Sequence, residues 1–218
     1  LSTVKYPLAV RSSSLLEDSQ YQPLAGMYST YMLPNADRSK AKRLSDLEKA
    51  IKLVYASTFL KEPKALIEAS VHHHEEEKMA VIIMELIGKT HKERFYPSVS
   101  GLAQSFNYYP TSYMKRNEGV AYIALGLGRT ISDGEKSLRF APKYPAIIPQ
   151  YYSVRSTISN SQNHFYALNL EKGAELLKKN EHENTTLYDL NTAESDGELF
   201  WAASTVSSSD NKIRDSLK

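Results

Sequence analysis

Between Ser39 and Phe59, residues Leu44, Leu47, Ile51, Val54, Tyr55 and Thr58 recur at helical spacing, whereas the other apolar runs are short and rich in β-branched or aromatic residues. That contrast restricts the chain to a fold that combines a long helix with many short strands. Asp46 and Glu48 fall early in the helical stretch, where acids favour a helix start. Pro63 is placed to open a second helix through Leu66, Ile67 and Val71. Strands are expected at Tyr6 to Val10, ending in Arg11-Ser12-Ser13-Ser14, and at Tyr28 to Leu33, stopped by Pro34-Asn35. Met79 to Met84 reads as a central strand, apolar on both faces. Arg94 to Val99 and Leu102 to Tyr108 read as an antiparallel pair turning at Ser100-Gly101.

Further strands are expected at Val120 to Leu125 and Leu138 to Phe140, and at Tyr166 to Leu170 and Thr186 to Leu190 around a helix from Glu171 to Lys179. The Ser-rich stretch Ala202 to Asp210 is expected to be mobile. Helices and strands mix without strict βαβ alternation, which gives an α+β class. A change of character after Tyr152 divides the chain at 1–150 and 151–218, the second part being either a continuation of the same domain or a linker.

Charge and composition remove several functions. Among 218 residues, 27 Lys plus Arg face 25 Asp plus Glu, and a net charge of +2 does not make the basic face a nucleic-acid binder needs. With no cysteine, disulfides, thiolate metal sites and cysteine nucleophiles are excluded. The longest apolar run, Met79 to Met84, is far short of the roughly 20 residues of a membrane helix, so the expectation is a cytoplasmic protein without a membrane partner. The chain begins at Leu1 and has no signal-peptide pattern, and it is expected to be a piece of a longer protein.

Arg11 and the serines after it are the most informative local feature. A guanidinium fork at a strand end, followed by hydroxyls, suits a phosphate; the same residues also suit an exposed strand end entering a turn. Glu17 and Asp18 could hold Mg²⁺ or a substrate hydroxyl, or could open a helix. Gly26 offers either close backbone approach or a positive φ. Thr30 alone decides nothing. His72-His73-His74 followed by Glu75-Glu76-Glu77 invites a metal, but adjacent helical histidines diverge by about 100°, and a solvated helix end is preferred. Gly126-Leu127-Gly128, with Gly134, is either a phosphate-covering loop or a tight turn, the turn being favoured. The Tyr108-Tyr109 and Tyr151-Tyr152 pairs are assigned to core packing rather than to base stacking.

Taken in order, these features resemble the ATP-binding region of the phosphoenolpyruvate synthase and pyruvate phosphate dikinase family. Ala9-Val-Arg-Ser-Ser13, Glu17-Asp18, Leu24-Ala-Gly26 and Thr30-Tyr31 match its opening block. Ile51 to Ser57 resembles its following helix, Met79 to Ile83 its apolar strand, Phe95 to Gly101 its hairpin, and Val120 to Gly134 its G-L-G segment. The resemblance implies an ATP-grasp-like nucleotide-binding domain of a multidomain phosphotransferase. In that family ATP phosphorylates a histidine on a separate swivelling domain, and another domain passes the phosphoryl group to pyruvate or a related acceptor. By the match, Arg11 binds the ATP phosphates and offsets charge developing in phosphoryl transfer. Ser12 and Ser13 share its phosphate-facing turn, with Glu17, Asp18, Gly26 and Thr30 close by. Met84, Glu85, Leu86 and Ile87 flank adenine, the backbone of Glu85 and Ile87 reading its edge.

The sequence departs from the family pattern at several points. Met84 stands in place of the usual Gln, Arg129 in place of the Glu after G-L-G, and Asn107-Tyr108-Tyr109-Pro110 has no counterpart. The Gly-Gly-Lys segment that grips ATP is absent, as are the D-I-E-W…L-Q-x-R pair that supplies Mg²⁺ ligands and the phosphorylatable histidine motif. The implied cofactors are thus ATP and Mg²⁺, the metal's ligands lying elsewhere, and the piece alone is expected to be inactive. The alternative is a degenerate ATP-grasp module with a binding or regulatory role.

Overall fold

The computed structural model describes residues 1, 3–14, 17, 28–69, 78–177, 184–207 and 209–215. In chain order the main elements are β1 (Leu8–Ser14), β2 (Thr30–Leu33), α1 (Lys40–Ser57), α2 (Lys61–Ala69), β3 (Met79–Glu85), β4 (Lys89–His91), β5 (Arg94–Tyr96) and β6 (Ser100–Gln104). They continue with β7 (Val120–Ala124), α3 (Arg129–Ser132), β8 (Leu138–Phe140), α4 (Val154–Asn160), β9 (His164–Asn169) and α5 (Gly173–Leu176). The last are β10 (Thr186–Asp189), α6 (Leu190–Ser195), α7 (Leu199–Ala202), β11 (Ser204–Ser207) and β12 (Lys212–Asp215). Short antiparallel sheets interspersed with helices make the architecture α+β.

By its internal contacts the chain forms two compact units, Leu1–Phe95 with Leu168–Thr186 and Tyr96–Ala167 with Leu187–Lys218. The first is built on an antiparallel sheet of order β2-β1-β3. Alternation along β1 puts Leu8 and Val10 on one face, and with Tyr31 and Leu33 of β2 they pack against Ala50 and Val54 of α1 and against Leu177. Ser39 caps α1 by accepting the N–H of Lys42, so a hydroxyl sets the helix start. The first turn holds no acid; Asp46 instead pairs with Lys42 one turn earlier. The buried stripe is narrower than the periodicity implies, since Leu44 and Tyr55 are exposed. Pro63 lies inside the first turn of α2, which begins at Lys61.

The two long edges of this sheet differ. At β2, the buried Asn184 side chain accepts the N–H of Met32 at 2.7 Å, donates to the Met32 carbonyl, and donates to the Gly173 carbonyl at 2.7 Å. One amide thereby satisfies the outward backbone groups of Met32 as a neighbouring strand would. At β3 no further strand is present among the described residues. The expected central strand is therefore an edge strand, and Ile82, Ile83 and Met84 are exposed rather than buried. A run that is apolar on both faces is shared by central strands and by edges that receive a partner, so composition does not separate them.

In the second unit, β6, β7 and β8 form an antiparallel sheet, and β11 pairs with β12. The hairpin expected across Ser100-Gly101 is not formed: Ser100 and Gly101 lie inside β6, opposite Ala124 and Ile123 of β7. Gly101 is required by close approach, since a Cβ there would meet the Tyr122 carbonyl at 2.9 Å. The stretch expected to be mobile instead carries α7 to Ala202 and then β11, whose register with β12 runs from Ser204↔Asp215 to Ser207↔Lys212. Phe165 is fully buried, with its ring 4.7 Å from Tyr96, and the Tyr96 hydroxyl donates to Asp196 at 2.8 Å. Core packing does not hold for the tyrosine pairs, because Tyr108, Tyr109 and Tyr152 are 65%, 82% and 84% exposed. Arg139 explains part of this: its guanidinium donates to Asn107 Oδ1 at 3.1 Å and to the Tyr109 carbonyl, holding that loop by its backbone and leaving the rings outside.

Candidate functional site

β1 continues through Ser14, so the serines after Arg11 lie on a strand and not in a turn. Strand alternation then separates them. Ser12 and Ser14 are buried with Val10 on the α1 side, whereas Arg11 and Ser13 emerge on the opposite face. Cross-strand register completes that face. Arg11 stands opposite Thr30 of β2 and Ile82 of β3, Ser13 opposite Ala80, and Ala9 between Met32 and Met84. Cation, hydroxyls and apolar side chains thus share one open surface: Arg11, Ser13 and Thr30 towards one end, Met32 and Met84 towards the other.

The backbone of β3 adds to this surface. The Leu86 N–H donates to the Pro7 carbonyl at 2.8 Å, and Leu8 stands opposite Glu85. Hydrogen-bonded and non-hydrogen-bonded pairs alternate in an antiparallel ladder, so the N–H and C=O of Glu85 point away from β1, along the open edge. Ile87, just past the strand, is among the most exposed large hydrophobic residues of those described. Glu17 is turned the other way: its carboxylate accepts the Ser12 hydroxyl and the Ser14 N–H, each at 3.0 Å.

Of the residues singled out by sequence, the structure brings Arg11, Ser13, Thr30 and Met84 onto one face, puts Glu85, Leu86 and Ile87 at the adjoining edge, and sets Ser12 and Glu17 behind it. Asp18, Gly26 and the run from His72 to Glu77 lie outside the described residues. Ile82 and Met32 were not singled out, yet they lie on the face of Arg11; counting by twos from Arg11 through each register is the signal that finds them. Among the described residues no group of three or more His, Asp or Glu side chains could hold a metal ion, and no helix is long and apolar enough to cross a membrane.

The second unit carries a separate polar cluster. His164 Nε2 lies 2.9 Å from one oxygen of Glu135, and the Tyr166 hydroxyl donates to the other at 3.0 Å. Arg129 is centred 4.6 Å from the Tyr166 ring and pairs through Nε with Asp133 at 3.0 Å. The adjoining glycines serve the backbone: Gly126 has φ +84°, and a Cβ on it would meet the Tyr166 carbonyl at 2.7 Å.

Burial raises the pKa of Tyr166 above its ordinary value of 10.0, and its bond to Glu135 adds to the rise. A phenol that holds its proton more tightly in the folded chain contributes stability that is complete below about pH 10 and is lost as pH climbs through the raised value. Tyr166→Phe should therefore flatten the decline of the melting midpoint above that pH relative to the parent chain. An identical alkaline slope in the two proteins would refute the linkage.

A family model described as the pyruvate phosphate dikinase AMP/ATP-binding domain matches residues 2–211. A comparison with the curated proteins gives no match.

Proposed function

Because this chain belongs to the pyruvate phosphate dikinase AMP/ATP-binding domain family, we propose that the open face of the β2-β1-β3 sheet holds ATP. Arg11, Ser13 and Thr30 take the phosphates. Met84 and Ile87 flank adenine across Leu86, and the outward N–H and C=O of Glu85 read its edge. The observation that carries this reading is the register that sets Arg11 directly opposite Thr30 on an exposed face, with Met84 on the same face and the Glu85 N–H and C=O turned outward beside it. A planar guanidinium and hydroxyls at one end, with apolar side chains at the other, match a nucleotide's charged and flat halves.

In the longer protein this face serves a phosphotransferase. ATP, with Mg²⁺ held by residues outside these 218, phosphorylates a histidine on a swivelling domain, and the group passes to pyruvate or a related acceptor. Arg11 offsets charge on the transferring phosphoryl group. Asp18 and Gly26 belong to the site by the match to the family's opening block alone. Residues 1–150 form the ATP-grasp-like portion and residues 151–218 continue it rather than link it to another domain, a reading supported by the family match running to residue 211.

One observation favours a second reading, a degenerate module that binds nucleotide for regulation. Arg129 replaces the family's acid and is already engaged by Asp133 and the Tyr166 ring. Calorimetric titration with MgATP tests the shared claim: saturable one-to-one binding is expected, and a flat isotherm overturns the site. Acid-labile labelling of a histidine on a companion domain then decides for the phosphotransferase, and binding without such labelling decides for the module.

A further inference from the structure

Glu17 was grouped with the ligand-binding residues by its neighbours in sequence, but its bonds point elsewhere. Both carboxylate oxygens are engaged by β1, one by the Ser12 hydroxyl and one by the Ser14 N–H, each at 3.0 Å. The return bond is present too, the Glu17 N–H donating to Ser14 Oγ at 3.1 Å. These contacts close a small ring at the end of β1. There the strand extends past its described partner on the β2 side, whose register ends at Arg11↔Thr30. The Glu17 carboxylate meets the Ser14 N–H as a neighbouring strand would.

We infer that Glu17, through Ser12 and Ser14, is a positioning residue that holds Arg11 and Ser13 on the open face for a phosphate group, and that it is not a ligand of nucleotide or metal. The inference rests on the ATP reading given above. The geometry is that of a strand: fixing the side chains of residues 12 and 14 on the buried face fixes residues 11 and 13 on the other, because adjacent side chains alternate. Electrostatics point the same way. A carboxylate beside Arg11 and Ser13 would repel the phosphates they are to bind, whereas one bonded to Ser12 and Ser14 keeps its charge on the opposite side.

The test compares Glu17→Ala, Glu17→Gln and Ser12→Ala. Each is titrated with ATP in Mg²⁺, with ATP in EDTA and with adenosine, while exchange of the Ser14 amide is followed without nucleotide. In Glu17→Ala the Ser14 amide should exchange faster and ATP affinity should fall about 10-fold, equally with and without Mg²⁺. Adenosine affinity should not change, a selectivity that general loss of structure would not produce. Gln keeps an oxygen for the Ser14 N–H and offers an amide N–H to Ser12 Oγ, so Glu17→Gln should recover most of the affinity, with Ser12→Ala between the two.

A loss confined to Mg²⁺ conditions and equal in Gln and Ala would make Glu17 a metal ligand and overturn the inference. Parent binding with an unchanged Glu17→Ala overturns it alone. A parent chain that binds no ATP overturns the underlying reading, and the phosphate role of Glu17 falls with it.

Discussion

Arg11→Ala should weaken MgATP binding roughly 30-fold, about 2 kcal/mol, the usual worth of hydrogen bonds between charged partners. The melting midpoint should stay where it is, because Arg11 is exposed on the open face and packs into no core. Separation of affinity from stability is the informative part. Arg11→Lys keeps the charge but loses the planar fork, and should recover only part of the affinity. Equal MgATP affinity in the parent and Arg11→Ala would remove Arg11 from the site and leave the phosphate end of the open face without its cation.

A large effect on stability is expected at Gly126. Its φ of +84° disfavours any side chain, and an added Cβ would sit 2.7 Å from the Tyr166 carbonyl and 2.9 Å from Phe165 Cδ2. Phe165 is fully buried against Tyr96 and cannot move aside cheaply. Backbone strain of about 1–2 kcal/mol and a further 1–3 from overpacking put the cost of Gly126→Ala near 3 kcal/mol. For a chain of this size that lowers the melting midpoint by roughly 10 °C. Gly128→Ala is the matched control: its added Cβ meets nothing within 4 Å, and its effect should stay within about 0.5 kcal/mol. Comparable losses from the two substitutions would contradict the assignment of Gly126 to a tight approach, as would a neutral Gly126→Ala.

What the sequence disclosed and what it withheld divide along physical lines. β1, β7 and β8 were legible because short apolar or aromatic runs bounded by polar residues have few alternatives to a strand. The long helix was legible from its period, and Ser39 marks its start. Strand partners were not legible. Ser100-Gly101 carries a hairpin signal, yet Gly101 sits mid-strand because the Tyr122 carbonyl crowds the position, a requirement set by a residue 21 places downstream. The order that makes β3 an edge is likewise set by which strands pair, which local composition does not record.

At the site, the residue types suggested a phosphate but not which of them face it. Arg11, Ser12 and Ser13 look equivalent as a string; the strand continues, and parity sends Ser12 to Glu17 and leaves Arg11 and Ser13 together. The same parity brings in Ile82 and Met32. The tyrosine pairs misled for a different reason: aromatic residues suit cores, yet the rings of Tyr108 and Tyr109 stay in solvent on a loop whose backbone Arg139 holds at the Tyr109 carbonyl.

Closure of the β2 edge by Asn184 has a consequence for synthesis. The amide and the strand it seals are 152 residues apart. At translation rates of about 5–20 residues per second, that separation is on the order of ten seconds. Until Asn184 leaves the ribosome, the outward N–H and C=O of Met32 are left to water, and the β2 edge lacks the amide that closes it in the finished fold. A synonymous change that slows translation before Asn184 should lengthen the interval in which the β2 edge stays open, without altering a single contact in the finished fold.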